Sequence, residues 1–543
     1  MRKLGLVLLV LGLTAFSAIC LTACSGSSEG KEGGALKGTY ASFPAYLDPA
    51  LSYEVEGWTA MYDTYLPLLT YAHANGAAGS KVVPALAESM PKISNGGKTY
   101  TLTLRKGLKY SDGTPVKASD FASTIERLFK INSPGSFFYE NIVGAEKFAE
   151  TKAGGIPGIK TEDKTGKIEI DLVSPRGTFN NELGMLFAAV LPSGTPAKNL
   201  TADPPPATGP YMISKVEPGR AWSYTRNPYW AKANGPAIDT VPDGHVDKID
   251  IKVIRNDSTQ VNEIERNKAD WMQTPISADL YNKVKDTYEG TQFRVEHPIN
   301  LYLFWMNTEK APFDDVKVRQ AVNYAVDGAA LERIYAGSLA ATHQILPEGM
   351  PGHKPFDLYP HNMAKAKELI AEANPSDRNI TVWTDNESPN DEAGAYYEGV
   401  LNELGFKAKL KTINADNYYT IIGNESTPDL DTGWLSFYED YPHPNDFFQA
   451  MFSGESIAPT GNTNLSRIDD PKLNAKIAKL DEEPLGPEQE AEYAALDKEF
   501  MELAPIVPYG TNTVSTFVDS EIDLGKVIFN PTFGQDLASF QFK

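Results

Sequence analysis

Residues 380–412 read ITVWTDNESPNDEAGAYYEGVLNELGFKAKLKT, and this stretch predicts a strand, a helix and a second strand in succession. Residues 380–383 form a short β-branched and aromatic run, which is typical of a strand. Residues 392–404 have the length of a helix, and Gly405 is a common residue just after a helix end. Residues 406–412 form the second strand. Two strands joined by a helix lie parallel, so the stretch predicts a βαβ unit and an α/β fold.

Length and charge exclude several classes of protein. The chain has 543 residues, of which 41% are hydrophobic and 22% charged, and this length predicts about three or four domains. Its formal net charge is −21, which argues against binding of nucleic acid and against electrostatic attachment to anionic lipid. The composition is that of a globular protein that meets neutral or cationic solutes.

The N-terminus predicts export and a lipid anchor. Arg2 and Lys3 precede an apolar segment, residues 4–21, which is typical of a secretory signal. The tetrapeptide Leu21-Thr22-Ala23-Cys24 resembles a bacterial lipoprotein box, which implies a signal peptide over 1–23 and a lipid on the Cys24 thiol. Residues 24–35 would be a flexible tether. The protein is then expected at the cell membrane, facing the extracytoplasmic side. An ordinary signal peptide with a chance cysteine is the alternative.

From residue 84 the motifs follow one another in a specific order. Tyr100, Leu102 and Leu104 share one face of a predicted strand, and a turn over 111–115 follows. The helix after it has an apolar stripe at Phe121, Ile125, Leu128 and Phe129. Residues 208–230, 247–254 and 304–322 hold further motifs of the same set.

In these stretches the chain resembles the bacterial extracellular solute-binding proteins of family 5, the oligopeptide- and dipeptide-binding lipoproteins of ABC importers. The resemblance spans most of residues 36–543. It implies a type II periplasmic-binding-protein fold, with two lobes of mixed sheets joined by a hinge and an inserted third domain. It also implies that the protein captures short peptides and delivers them to a permease and its ATPase, as a monomer and without a cofactor.

The layout that the resemblance implies is discontinuous. Its limits are 36–78, 200–296 and 505–543 for lobe I, 79–199 for the inserted domain II, and 297–504 for lobe III. The chain is expected to cross between lobes at 297–301 and again at 503–506, where Pro298 and Pro505 restrict the backbone and the flanking residues would absorb the hinge rotation.

The loop 433–448 is the predicted working surface. It holds several rings, two prolines and several acids, which suits a ligand that is apolar in body and cationic at one end. The alternative is a loop whose rings simply pack beneath it. The resemblance implies that Asp440 pairs with a ligand ammonium and that Trp434, and less directly Phe437 and Tyr438, wall the cavity. His443 replaces an acid that is frequent in the family, so the local charge is lower, and the sequence leaves open whether His443 makes binding pH-dependent.

Three more positions match cleft-lining positions of the family: Ser42, Phe43 and Asn307. Turn capping and core packing are the alternatives for them. The sequence does not show which basic residue would hold the carboxylate end of a peptide.

No catalytic constellation is visible. There is no Gly-x-Ser-x-Gly elbow, no His-Glu-x-x-His and no free thiol in the processed chain. The seven histidines show no spacing typical of a metal site. The first hypothesis is therefore a binding protein, not an enzyme, with an oligosaccharide, an opine or a nickel complex as alternative ligands on the same scaffold. A secreted α/β hydrolase is the hypothesis of another class.

Overall fold

A computed structural model of the chain describes residues 31–230 and 238–543. The predicted signal peptide and Cys24 lie outside the described residues, so cleavage and lipidation stay predictions. The end of the expected tether lies inside them. The Lys31 amide donates to the Phe542 carbonyl and the Gly33 amide to the His245 carbonyl, both at 2.8 Å. The expectation of a free tether up to residue 35 is therefore wrong from Lys31 onward, because backbone hydrogen bonds already attach the chain there.

The first lobe is built on a seven-stranded mixed sheet. Its strands are β1 (Ala35–Tyr40), β8 (Tyr211–Glu217), β9 (Ala221–Arg226), β10 (Lys248–Val253), β11 (Trp271–Met272), β12 (Phe293–Glu296) and β19 (Val514–Val518). Their order is β12-β19-β11-β1-β10-β9-β8, with β1 parallel to both of its neighbours. The ring of Tyr40 packs edge-on against Trp222 and Trp271, so aromatic area fills the core beside the central strand. Helices α1 (Val55–Met61), α5 (Asp257–Glu265) and α6 (Ala278–Tyr288) belong to this lobe.

A four-stranded antiparallel sheet lies within residues 79–199, the range expected for the inserted domain. Its strands are β4 (Lys92–Ser94), β5 (Thr99–Thr103), β6 (Ile159–Glu162) and β7 (Lys167–Asp171), in the order β4-β5-β7-β6. Helix α2 (Ala118–Lys130) buries Phe121, Ile125, Leu128 and Phe129, as the apolar stripe predicted. Two strands, β2 (Leu69–Tyr71) and β3 (Val82–Pro84), pair beside this domain, and α3 (Ala145–Thr151) and α4 (Phe179–Glu182) complete it.

The second lobe is built on a six-stranded mixed sheet in the order β14-β18-β13-β17-β15-β16. These strands are β13 (Asn300–Met306), β14 (Leu339–Ala341), β15 (Asn379–Asp385), β16 (Lys407–Ile413), β17 (Thr432–Tyr438) and β18 (Ile506–Asn512). Its helices are α7 (Val316–Ala325), α8 (Gly328–Ile334), α9 (Met363–Ala373), α10 (Asn390–Glu403), α11 (Ala415–Ile422), α12 (Pro444–Phe452), α13 (Pro471–Leu480) and α14 (Pro487–Leu503). Strands β15 and β16 run parallel on either side of α10 in the chain, so the predicted βαβ unit is confirmed. In the described ranges, no helix is both long and apolar enough to cross a bilayer.

The chain crosses between the two sheets twice. The first crossing joins β12 to β13 at residues 297–299, as expected, and the second joins β18 to β19 at Thr513. The expected second crossing at 503–506 is wrong, because β18 already pairs with β13 from Ile506 onward. Asn300 ties the two crossings together: its Nδ2 donates to the Asn512 carbonyl at 2.9 Å, and the Asn512 amide donates to its Oδ1 at 2.7 Å. A short hairpin, β20 (Phe529–Asn530) with β21 (Gly534–Gln535), follows in the first lobe.

Candidate functional site

The loop between β17 and α12 forms one wall of the site. Gly433 in β17 has no room for a larger residue, because a Cβ there would lie 2.6 Å from the Trp383 carbonyl oxygen. At the other end, His443 precedes α12, and its Nδ1 accepts a hydrogen bond from the Asn445 amide at 3.1 Å. Pro444 occupies the first helical position, where a missing N–H leaves no bond unmade. The strand before the loop and the helix after it are thus both fixed in place.

A cavity of about 410 Å³ lies between the two lobes, beside both crossings. One wall comes from the segment leading into α1 and from the β20–β21 hairpin, and the other from the loop after β17. Its lining is acidic and aromatic, with the carboxyl groups of Glu54, Glu56, Glu439 and Asp440 and the rings of Tyr53, Trp58, Tyr438 and Phe529. No lysine, arginine or histidine among the described residues lines it. Its volume falls in the range of small-ligand sites, roughly 300–1,000 Å³.

A second cavity, of about 510 Å³, lies within the second lobe. Its lining comes from α13, α14 and the loop between them, and holds lysine and glutamate side chains. This second cavity carries both signs of charge and touches neither crossing, whereas the cavity between the lobes combines one sign of charge with two facing walls.

Asp440 connects the two walls of the cavity between the lobes. The Tyr53 hydroxyl, in the first lobe, donates to Asp440 Oδ1 at 2.5 Å, and the Asp440 amide donates to Asp446 Oδ2 at 2.9 Å. Burial raises the pKa of the Asp440 carboxyl, and burial together with the charge of Asp440 raises the pKa of Asp446. Burial and Asp440 also raise the pKa of Tyr53, so its hydroxyl stays a donor. No basic side chain among the described residues forms a salt bridge with Asp440.

Glu439 is the most enclosed acid of the lining. It is only 7% exposed, and its Oε1 has no hydrogen-bond partner among the described residues. Burial raises the pKa of its carboxyl well above the usual value, and the charges of Asp446 and Asp440 add to that shift. An unpaired buried carboxyl is costly, and a bound cation would offset that cost.

Two of the predicted positions, Asp440 and Tyr438, line this cavity. Tyr438 also contacts β13 and β18, the two strands of the second lobe that lie next to the crossings. The Tyr438 hydroxyl lies 3.3 Å from the Tyr302 hydroxyl of β13, and the Asn512 Nδ2 of β18 donates to it at 3.5 Å. With about 40% of its side chain exposed, Tyr438 offers both ring area and a polar edge to a ligand.

Trp434 and Phe437 lie elsewhere. Trp434 is 3% exposed, and its indole N–H donates to the Tyr509 hydroxyl at 2.9 Å and to the Tyr335 hydroxyl at 3.2 Å. Phe437 is half-buried against the Phe447 ring, at 4.9 Å between centroids. Both rings pack in the core of the second lobe rather than in the lining, and a ligand contact at either stays a prediction.

His443 lies beneath the loop and is fully buried. Burial lowers its pKa from 6.5 to about 3, and its Nδ1 must stay unprotonated to cap α12. The histidine is therefore neutral at any physiological pH, which argues against a pH dependence of binding through His443, a question that the sequence left open. A direct ligand contact at His443 stays a prediction.

Ser42, Phe43 and Asn307 also lie outside the cavity lining. Ser42 is exposed, and Phe43 packs edge-on against the Trp222 ring at 5.3 Å. Asn307 is buried, and its Nδ2 donates to the Leu430 carbonyl at 2.9 Å. Asn307 follows the far end of the seven-residue strand β13, roughly 23 Å from the first crossing between the lobes. Ligand contacts at these three positions stay predictions.

Sequence reasoning missed the first-lobe wall. Tyr53, Glu54 and Glu56 lie just before or in the first turn of α1, where acids are ordinary helix-start residues. No local pattern links position 53 to position 440, which lies 387 residues later. Glu439 was inside the predicted loop, but only its burial distinguishes it from other loop acids.

One group of side chains in the first lobe could hold a cation. His73 Nδ1 lies 2.7 Å from Asp536 Oδ2 and 3.8 Å from Asp63 Oδ1, and all three side chains are buried. Their ligand atoms lie within 4.8 Å of one another. The hydrogen bond to Asp536 and the stacking of His73 on Tyr62 account for this packing without a metal. The spacing of histidines in the sequence could not reveal the group, because Asp536 comes from the other end of the chain.

Comparison with known families gives a match over most of the chain. The family described as "Bacterial extracellular solute-binding proteins, family 5 Middle" matches residues 81–458. Heme-binding protein A of Haemophilus influenzae is 28% identical over 469 residues, covering 80% of this chain and 80% of that protein. The dipeptide-binding protein of Escherichia coli (strain K12) is 27% identical over 406 residues, covering 69% of this chain and 71% of that protein.

Solved structures share the fold. "Clavulanic acid biosynthesis oligopeptide binding protein 2" superposes with a TM-score of 0.84 at 23% identity, covering 94% of this chain and 96% of that one. "MppA Periplasmic Murein Tripeptide Binding Protein, Unliganded Open Form" superposes with a TM-score of 0.78 at 22% identity, covering 95% and 99%. At these identities the likeness concerns the fold, and the predicted type II periplasmic-binding-protein architecture is confirmed.

Proposed function

Because the chain belongs to the bacterial extracellular solute-binding proteins of family 5, we propose that it captures short peptides with a free amino terminus between its two lobes. The peptides are then delivered unaltered to the permease of an ABC importer. The family is one of binding proteins, not of enzymes. In this proposal Asp440 receives the peptide ammonium, while Tyr438, Tyr53 and Trp58 supply the apolar walls.

The observation that carries the proposal is the uncompensated acidity of the cavity. Four carboxyl groups line it without a basic side chain among the described residues, and Asp440 is held between the Tyr53 hydroxyl and the Asp446 loop. An ammonium group placed against Asp440 neutralises that carboxylate and makes a charge-assisted hydrogen bond. An anionic ligand would meet repulsion instead, which argues against a ligand that presents carboxylates to this wall.

The two lobes supply the mechanism of capture. Among the described residues, the chain passes between the two sheets at two crossings, which the Asn300–Asn512 pair holds side by side, so the lobes can close on a solute by small rotations there. Closure brings Tyr53 of the first lobe to Asp440 of the second and expels water from the cavity. A ligand that bridges both walls binds the closed form better and shifts the population toward it.

The lipid anchor is part of the same proposal. The box that ends at Cys24 supports diacylation of its thiol, which would keep the receptor at the extracytoplasmic face of the cell membrane near its permease. Replacing Cys24 by Ser should release the protein into the medium and abolish labelling by a fatty-acid analogue. Retention at the membrane with labelling unchanged would refute the anchor.

Calorimetric titration tests the ligand assignment. The full chain, checked by native mass spectrometry to be free of co-purified ligand, is titrated with tripeptides that have either a free or an acetylated amino terminus. Loss of one charge-assisted hydrogen bond costs about 1.5–3 kcal/mol, so Asp440→Asn should weaken free-amine binding by roughly 10- to 150-fold. Acetylated peptides should bind weakly to both proteins.

The matched control is Asp286→Asn, an exposed acid on α6 that does not line the cavity. It should leave the affinity unchanged. If Asp440→Asn weakened the binding of free-amine and acetylated peptides equally, the proposed role of Asp440 would be refuted. Binding of an oligosaccharide or a nickel complex, or cleavage of the tripeptides, would replace the peptide receptor by one of the alternative functions.

A further inference from the structure

The cavity between the lobes holds more carboxyl groups than one ligand ammonium can pair with. If Asp440 pairs with that ammonium, Glu439, Glu54 and Glu56 still line the same volume, and Asp446 lies directly behind Asp440. None of these acids forms a salt bridge with a basic side chain among the described residues. Glu439, Glu54 and Glu56 lie on the walls that a ligand would touch.

A second, independent observation points to a ligand. Glu439 is more than nine-tenths buried, lines the cavity, and leaves its Oε1 without a partner among the described residues. Protein interiors rarely leave such an atom unsatisfied. A cation bound at this wall of the cavity would offset the cost of burying the Glu439 carboxylate.

The rings of the lining favour the same chemistry. Tyr53 and Tyr438 are partly exposed, and Trp58 and Phe529 complete the aromatic wall. A cation next to an aromatic face is stabilised by the ring quadrupole, most strongly for guanidinium and ammonium groups. Acids and rings together therefore suit a basic side chain better than an apolar or acidic one.

The two unused acids of the first-lobe wall differ in availability. Glu54 Oε1 accepts a hydrogen bond from the Ala45 amide at 2.5 Å, so part of its capacity is occupied by its own loop. Glu56 has no such bond to its side chain among the described residues and is only half-buried. Glu56 is thus the acid with room to meet a ligand group from the wall opposite Asp440.

We infer that the protein selects peptides that carry a second cationic group, a lysine or arginine side chain near the free amino terminus, and that Glu56 and Glu439 are the specificity-determining residues. This inference rests on the proposed function, since it takes the peptide ammonium to be at Asp440. It adds the substrate class: the ligand is a basic peptide, not a peptide of any composition.

A matched peptide panel tests it. The full chain is titrated, at low and at moderate ionic strength, with free-amine tripeptides whose central residue is lysine, norleucine or glutamate. A linear aliphatic diamine serves as a probe that is cationic but not a peptide. Lysine should be preferred over norleucine by about tenfold at low salt, glutamate should bind weakest, and added salt should reduce the preference.

Variants assign the preference to residues. Glu56→Gln should reduce the lysine preference to roughly two- to threefold while leaving the affinity for the norleucine peptide unchanged. Glu289→Gln, an exposed acid at the end of α6, is the matched control and should keep the full preference. Glu439→Gln should weaken the lysine peptide, and its melting temperature, measured alongside, separates lost binding from lost folding.

The number of protons released on peptide binding is a measurement that a purely structural role of Glu439 would not change. Burial raises the pKa of Glu439 in the empty cavity, and an adjacent cation favours the ionised form. Binding of the lysine peptide should therefore release more protons than binding of the norleucine peptide, as seen by calorimetry in buffers of different ionisation enthalpy. Glu439→Gln should remove that difference.

The outcomes separate this inference from the function on which it rests. Equal affinity for lysine and norleucine peptides overturns the basic-peptide class while the peptide receptor stands. Failure of every tripeptide together with binding of the diamine overturns the peptide receptor and retains a cavity for dications. Failure of all probes overturns both.

Discussion

His443 gives the sharpest prediction of the structure, because its burial converts into a measurable pH dependence of stability. The side chain is fully buried, and its Nδ1 accepts the hydrogen bond that caps α12. The ring lies edge-on to Tyr493 at 5.6 Å, and Nε2 has no partner among the described residues. Protonation would place an unpaired charge in the core and abolish the cap, so burial lowers the pKa to about 3.

The size of the effect follows from the difference between folded and unfolded pKa values. Above pH 6.5 the imidazole is neutral in both states, and its contribution to stability is complete. Below pH 6.5 the unfolded chain takes up a proton while the folded chain does not until about pH 3. The free energy of unfolding then falls by about 1.4 kcal/mol per pH unit, which amounts to about 2 kcal/mol between pH 8 and pH 5.

Urea unfolding of the wild type and of His443→Asn measures this contribution. Asparagine also caps a helix with a side-chain oxygen, but it does not titrate. Far-ultraviolet circular dichroism across pH 5.0–8.0 should show the wild type losing about 2 kcal/mol more than the variant as the pH falls. A difference between the two proteins that stays constant across that range would refute the buried neutral histidine.

The remaining predictions concern core packing. Asp48→Asn should cost about 3–5 kcal/mol in urea unfolding, because Arg127 of the inserted domain donates to both Asp48 oxygens, at 2.9 and 2.6 Å, and both side chains are buried. Glu126→Gln, which breaks the more exposed pair with Lys130, is its control and should have a much smaller effect; similar losses would contradict the argument. Trp434→Phe should lower stability by about 1–3 kcal/mol through its lost hydrogen bonds and packing, and should change peptide affinity less than about twofold. A large loss of peptide affinity without a loss of stability would contradict this prediction and indicate that Trp434 contacts the ligand.

Local patterns in the sequence were sufficient for the elements and the class of fold. The βαβ unit over 380–412 and the apolar stripe of α2 were predicted correctly because strand and helix periodicities are set by neighbouring residues. The family followed from ordered motifs spread over the chain, and the match to residues 81–458 confirms it. The second crossing was misplaced because the domain limit implied by the resemblance, at 504/505, comes before β18, which still pairs with β13 in the second lobe.

The site itself was only half visible in the sequence. The stretch 433–448 was identified by composition, and three of its residues, Tyr438, Glu439 and Asp440, do line the cavity. Composition could not show that Trp434 turns into the core. It also could not show that Tyr53 meets Asp440 from the other lobe.

By itself the sequence determined the α/β class, the family and the acidic, aromatic character of one loop, all of which depend on residue types and short spacings. Only the tertiary structure decided which acids lie around the same cavity and which histidine stays neutral. Glu56 and Glu439 reach one cavity through the packing of two lobes, and His443 is neutral because that packing excludes water. The physical reason is that burial and pairing arise between residues hundreds of positions apart, whereas a pattern in the sequence reports only on neighbours.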